Sequence, residues 1–80
     1  MHELGMLTQA LKKVALTASQ NGIERVRYIT LEVGEASGYV PAYFKKLFPA
    51  ARELFPPVRS AELRILSVPG KGLRIKNLAY

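Results

Sequence analysis

RVRYITLEVGE, residues 25–35, alternates with a period of two: Arg27, Ile29, Leu31 and Val33 fall on one side, Val26, Tyr28, Thr30 and Glu32 on the other. β-Branched residues at that period make a strand with one clearly apolar face. Gly34 and Gly38 bracket the loop EASG, which ends the strand. A lone strand of this kind needs partners along its edges and a cover over its apolar face, so the flanking segments decide the architecture.

Upstream, apolar residues recur at Leu4, Leu7, Leu11, Val14, Ala15 and Ala18, which predicts a helix over residues 4–21, about five turns long. Gln20-Asn21-Gly22 is its stop, with Gly22 suited to the left-handed closing conformation. Downstream, Pro41 fits the first turn of a second helix, where its missing N–H costs nothing. Val40, Tyr43, Phe44, Leu47, Ala51, Leu54 and Phe55 form that helix's apolar stripe. Pro49 interrupts it, and its ring opposes the carbonyl of Lys45, so a kink or break is expected near Phe48. Pro56-Pro57 ends the segment.

The last quarter reads AELRILSV, then PGKG, then LRIKNLAY. Leu63 and Ile65 alternate with Glu62 and Arg64, and Leu73 and Ile75 with Arg74 and Lys76. Pro69 and Gly70 occupy the two central positions of a type II turn, so an antiparallel C-terminal β-hairpin is expected. The predicted fold class is α+β: two helices packed on one face of a three-stranded sheet, in the order helix-strand-helix-strand-strand.

Composition narrows function. The 80 residues make a single small domain, 49% hydrophobic, with no cysteine and one histidine. Disulfides, thiolate zinc sites and thiol nucleophiles are thereby excluded, and aspartate is absent as well. No phosphate-binding glycine loop is present, and an enzyme is not expected. Nothing approaches a membrane span or the basic-then-apolar order of a signal peptide, so a cytoplasmic protein without membrane association is expected. The net charge of +6 comes from 12 Lys and Arg spread through every segment, which reads as a solvated basic surface. No motif points to nucleic acid.

The one histidine is His2, beside the terminal amine of Met1. That placement can present three nitrogens to one ion: the amine, an ionised backbone amide and the imidazole. Nitrogens in a plane suit Ni(II) or Cu(II), and Glu3 adds a carboxylate or its amide. Histidine at the second position also favours retention of the initiator methionine. The donors must be deprotonated, so affinity should collapse below the imidazole pKa of about 6.5.

MHEL at the start, LEVGEASGYVP over residues 31–41 and LRIKNLAY over residues 73–80 together resemble the HypA/HybF family of nickel-insertion accessory proteins. The resemblance implies that Met1, His2 and Glu3 hold Ni(II) for an apo nickel enzyme, hydrogenase or urease, with a partner GTPase of the nickel pathway. It also implies an α+β nickel domain of two helices and three strands. The family carries a zinc-binding domain on two CxxC pairs between its last two strands. Here the four residues Pro69, Gly70, Lys71 and Gly72 stand in its place, so residues 1–80 read as the nickel-binding domain alone, without structural zinc.

Glu32 and Glu35 are read first as solvent-facing or as paired with Arg25, Arg27 or Arg64, and alternatively as acceptors orienting the His2 imidazole. Gly34 and Gly38 serve backbone geometry, and Tyr39, Tyr43, Phe44, Phe48 and Phe55 serve a core or an interface. The alternative function is a metal-free interaction module that keeps the fold in a maturation pathway. Exposed sheet edges leave a homo-oligomer open.

Overall fold

The computed structural model describes residues 2–80, the side chain of His2 excepted. Helix α1 spans His2–Gln20, strand β1 Tyr28–Gly34, helix α2 Pro41–Ala51, strand β2 Glu62–Val68 and strand β3 Leu73–Ala79. Two short 3₁₀ turns, Arg52–Leu54 and Pro56–Val58, lead from α2 to β2.

Helix α1 stops where its sequence says it should. Gly22 takes φ +70°, Ile23 N–H reaches back to Ala18 O at 2.8 Å, and Gly22 N–H to Ser19 O at 3.2 Å. Those two bonds form a Schellman cap, which satisfies carbonyls the helix would otherwise leave unpaired. Leu7, Leu11, Val14 and Ala18 are buried along one face. Leu4 is 49% exposed, so the first apolar position of the expected stripe lies outside the core.

Helix α2 runs through Pro49 without a break near Phe48, contrary to expectation, and ends two residues later at Ala51. A proline this near the C-terminus forfeits one backbone bond and leaves few turns to disturb. Phe44, Phe48 and Ala51 are buried on the face that holds the helix in place, whereas Tyr43 and Leu54 are exposed. The chain tightens into 3₁₀ geometry only from Arg52.

The expected C-terminal hairpin does not form. The sheet order is β2-β1-β3, with β1 parallel to β2 and antiparallel to β3. The last two strands therefore flank β1 instead of pairing, about 9.5 Å apart across it. Two physical reasons favour this order. The chain between β1 and β2 contains α2, and a helical crossover suits a parallel pair. A type II turn also splays antiparallel strands, whereas tight hairpins use the mirror-image turns. Gly70, at φ +98°, fits the type II turn but serves a wider connection.

Ile29, Leu31 and Val33 of β1 are buried on the face covered by the helices, as their alternation predicts. The opposite face carries Tyr28, with the Arg64 guanidinium 3.7 Å from its ring centroid, and the Glu32–Arg74 ion pair. No helix among the described residues is long and apolar enough to cross a membrane.

Candidate metal centre

Of the predicted donors, Met1 and the His2 side chain lie outside the described residues. The backbone of His2 opens α1, so the candidate centre stands at a helix N-terminus. The N–H groups of a helix's first turn have no intrahelical acceptor.

Glu3 is buried, and its Oε2 accepts the Val40 N–H at 3.1 Å. The positive charge of the chain terminus, with hydrogen bonds from Val40 N–H and from Glu3's own N–H, holds its carboxyl down at about 2. The carboxylate also sits at the positive end of the α1 dipole, where a negative charge is favoured. The Val40 bond spans 37 positions of sequence and fastens the start of α1 to the residue that precedes α2.

The loop that ends in Val40 is held at its other end too. Gly34 N–H donates to Gly72 O at 2.7 Å, Glu35 N–H to Val68 O at 2.7 Å, and Ala36 N–H to Gly70 O at 2.8 Å. Ser37 Oγ–H donates to Gly34 O at 2.6 Å, and the same oxygen accepts Tyr39 N–H at 3.2 Å. Gly38, at φ +85°, turns the chain toward α2.

Gly34 is fixed by space rather than by φ. A Cβ there would lie 2.8 Å from both N and O of Gly72 and closer still to the Gly70 carbonyl oxygen. The connection from β2 to β3 has to pass over the end of β1, and it passes where no side chain exists. The backbone roles expected of Gly34 and Gly38 are therefore met by two different mechanisms.

Glu32 pairs with Arg74, its cross-strand neighbour on β3, and not with Arg25, Arg27 or Arg64. The Glu35 side chain is exposed, though its backbone binds Val68. Among the described residues no three His, Cys, Asp or Glu side chains gather as a metal cage. Sequence reasoning missed the Glu3–Val40 contact, and the only local signal for it was an acidic residue in the first turn of α1.

Two helices on one face of a mixed three-stranded sheet, with the first helix pinned to the loop after the central strand, define a small α+β domain. The family model described as "Hydrogenase/urease nickel incorporation, metallochaperone, hypA" matches residues 1–73, and the chain belongs to that family. A curated relative, "Hydrogenase maturation factor HypA" of Dechloromonas aromatica (strain RCB), is 33% identical over 72 residues, 90% of this chain and 63% of the relative. The chain thus spans less than two thirds of that relative's length. The solution structure of the Ni metallochaperone HypA from Helicobacter pylori superposes with a TM-score of 0.78 at 19% identity, covering 96% of this chain and 72% of that one. A second solution structure of a HypA protein gives 0.71 at 19% identity, over 96% and 71% of the two chains. At that identity the two structures establish the shared fold.

Proposed function

We propose that this chain is a non-enzymatic nickel metallochaperone that holds Ni(II) at Met1, His2 and Glu3 for delivery to an apo hydrogenase or urease in the cytoplasm. The observation that carries the reading is the match of the nickel-incorporation family from residue 1 onward. The donors are the Met1 amine, the His2 imidazole and a backbone amide of the first turn of α1. Ionising such an amide breaks no i to i−4 helical bond, because none exists there. Planar nitrogen donors suit Ni(II). Glu3 contributes through its backbone and by fastening α1 to Val40, which keeps the donors at a fixed place on the domain. A GTPase of the nickel pathway is the expected partner, and the residues Pro69, Gly70, Lys71 and Gly72 take the place of the family's zinc-binding insertion.

Nickel titration of the native-terminus protein beside a version with one extra N-terminal residue tests the donor set. The extension displaces the amine from beside His2, and its affinity should fall by at least about tenfold for one lost donor. Equal affinity in the two sinks the amine-ligand reading. Affinity of the native form should also decline as pH drops below about 6.5, where the imidazole protonates.

The second reading, a metal-free docking module of a maturation pathway, is favoured by the cysteine-free connection between β2 and β3. His2→Ala separates the two. Lost nickel binding and lost enzyme maturation support the chaperone, and unchanged maturation supports the module.

A further inference from the structure

The two edges of the sheet are finished differently. On β3 the register against β1 slips between Thr30 and Leu31, which leaves Lys76 as the extra residue of a bulge. Bulges and lysines on an edge block further strand pairing. On β2 the register runs unbroken from Glu62 to Val68, and the strand ELRILSV holds no lysine, proline or glycine. Glu62 N–H donates to Arg27 O and Val68 O accepts Glu35 N–H, so the even-numbered residues of β2 turn their peptide groups toward β1. The N–H and C=O groups of Leu63, Ile65 and Ser67 therefore point outward, and no strand lies beyond them. Just before them, the Ala61 carbonyl is already taken by Arg52 Nη1 at 2.7 Å. Helix α2 does not overhang this edge. Leu63 and Ile65, on the helix side of β2, are half-buried, whereas Ile29, Leu31 and Val33 beside them are at most 2% exposed. On the other face Leu66 is 40% exposed. A row of outward peptide groups at strand spacing, flanked by apolar side chains on both faces, is the complement of another strand.

We propose that β2 is a self-association edge: a second copy of this chain pairs its own β2 antiparallel to it about a two-fold axis at Ile65, joining the two sheets into one. Self-complementarity selects the second copy, and it selects the register. With the axis at Ile65, that residue faces itself and Leu63 faces Ser67 of the other copy, so every outward N–H and C=O of the strand is paired. On the open face Arg64 then stands beside Leu66 of the other copy and Glu62 beside Val68, with no like charges directly opposed. The Arg64 guanidinium is drawn inboard over Tyr28, 3.7 Å from the ring centroid, which leaves its apolar stem to cover that leucine. An axis at Arg64 sets Arg64 against itself, and one at Leu66 sets Leu63 against Pro69, which has no N–H to give. The strand brings one Glu and one Arg, so the contact adds no net charge, although each chain carries +6 in all. Seven residues a side make an interface below the roughly 1,200 Å² of stable complexes. The dimer is therefore weak, and salt strengthens it by screening the two basic chains from each other. It draws on no residue of the proposed nickel site.

The test is sedimentation equilibrium of the full chain up to on the order of 1 mM, at low and moderate salt, with backbone amide shifts followed by NMR over the same range. The mass should rise toward that of a dimer with concentration, more so at the higher salt, and the shifts should gather at Leu63, Ile65 and Ser67. Ser67→Pro removes an outward N–H and no bond to β1, and should leave a monomer that is folded by circular dichroism. Leu66→Lys sets a lysine beside Arg64 of the other copy in both symmetric contacts, and should weaken the dimer about tenfold. Adding Arg64→Glu turns those contacts into ion pairs, so the double variant should recover the affinity that Leu66→Lys alone loses. Axes at Arg64 or Leu66 would instead oppose like charges in it. A parent that stays monomeric, shifts gathered on β3 or the helices, a folded Ser67→Pro that dimerises like the parent, or a double variant no tighter than Leu66→Lys would each overturn the proposal. A monomeric parent whose β2 amides shift with a synthetic peptide of alternating valine and threonine would give the edge to another protein's strand, which overturns the second copy as its occupant.

Discussion

Replacing Gly34 by alanine tests the crossing on which the sheet order depends. The added Cβ would stand 2.8 Å from N and O of Gly72 and nearer still to the Gly70 carbonyl, all of them backbone atoms that cannot rotate aside. Ordinary contact at 3.4 Å requires the connection to retreat by about 0.6 Å at Gly72 and by more at the Gly70 carbonyl. The bonds from Gly34 and Glu35, now 2.7 Å, then lengthen beyond the usual N–H···O range of about 3.2 Å. Two or three hydrogen bonds weakened at ~1 kcal/mol each, with residual overpacking, give a loss of about 2–4 kcal/mol. For a domain of this size each kcal/mol shifts Tm by roughly 4–8 °C, so Gly34→Ala should melt on the order of 10–25 °C below the parent. Far-UV circular dichroism with temperature measures it. Gly38→Ala is the control, because no atom lies within 4 Å of its Cβ and only its φ of +85° is strained, at ~1–2 kcal/mol. Gly34→Ala melting within about 3 °C of the parent, well under one kcal/mol, would refute the close-crossing explanation.

Phe44 is wholly buried, and Phe44→Ala should cost about 3–5 kcal/mol, read as a collapsed urea midpoint; a loss below about 1 kcal/mol would mean α2 repacks freely. Arg74→Ala removes a pair whose arginine is three-quarters exposed, and should change stability by less than about 1 kcal/mol by the same assay. The Glu3 carboxyl is held at about 2, below its ordinary 4.5. Its folded form is thus the better acid, and its contribution is complete above pH 4.5 and is lost as pH falls toward 2. Urea midpoints from pH 5 to 2 should fall more steeply for the parent than for Glu3→Gln, and parallel curves would contradict the lowered Glu3 carboxyl.

Local signals in this chain were legible, and long-range ones were not. The stop at Gly22 is written within five residues, and the Schellman bonds from Gly22 and Ile23 realise it. The alternation of Ile29, Leu31 and Val33 fixes which face of β1 meets the helices whatever its neighbours are. Strand order is different, because Leu63 and Ile65 alternate identically beside β1 or beside β3. The Pro69-Gly70 turn and the helix between β1 and β2 both favoured a central β1, but only when weighed as connections. The pairing of Glu32 with Arg74 depends on that order and was hidden with it. At Pro49 a local rule was outweighed by packing, since Phe48 and Ala51 keep the helix seated for its last residues. His2 was legible as a candidate donor from its place beside the amine, whereas the burial of Glu3 requires knowing that α1 and α2 begin side by side.

The loop of residues 34–40 links the start of α1 to the β2–β3 connection. One end is fastened to the β2–β3 connection through Gly34, Glu35 and Ala36, and the other to the start of α1 through Val40 and Glu3. Between them Ser37 bonds to Gly34 and Tyr39, so the loop is short and braced throughout its first half. A displacement of Gly34 therefore has little slack to absorb it before Val40. Groups joined in one hydrogen-bonded network respond non-additively to substitution. In a double-mutant cycle, Gly34→Ala and Glu3→Gln should together lower the urea midpoint by less than the sum of their separate effects, because the first substitution already loosens the contact that the second removes. Strict additivity would show that the loop yields between its two anchors, and that the β2–β3 connection and the N-terminus are held independently.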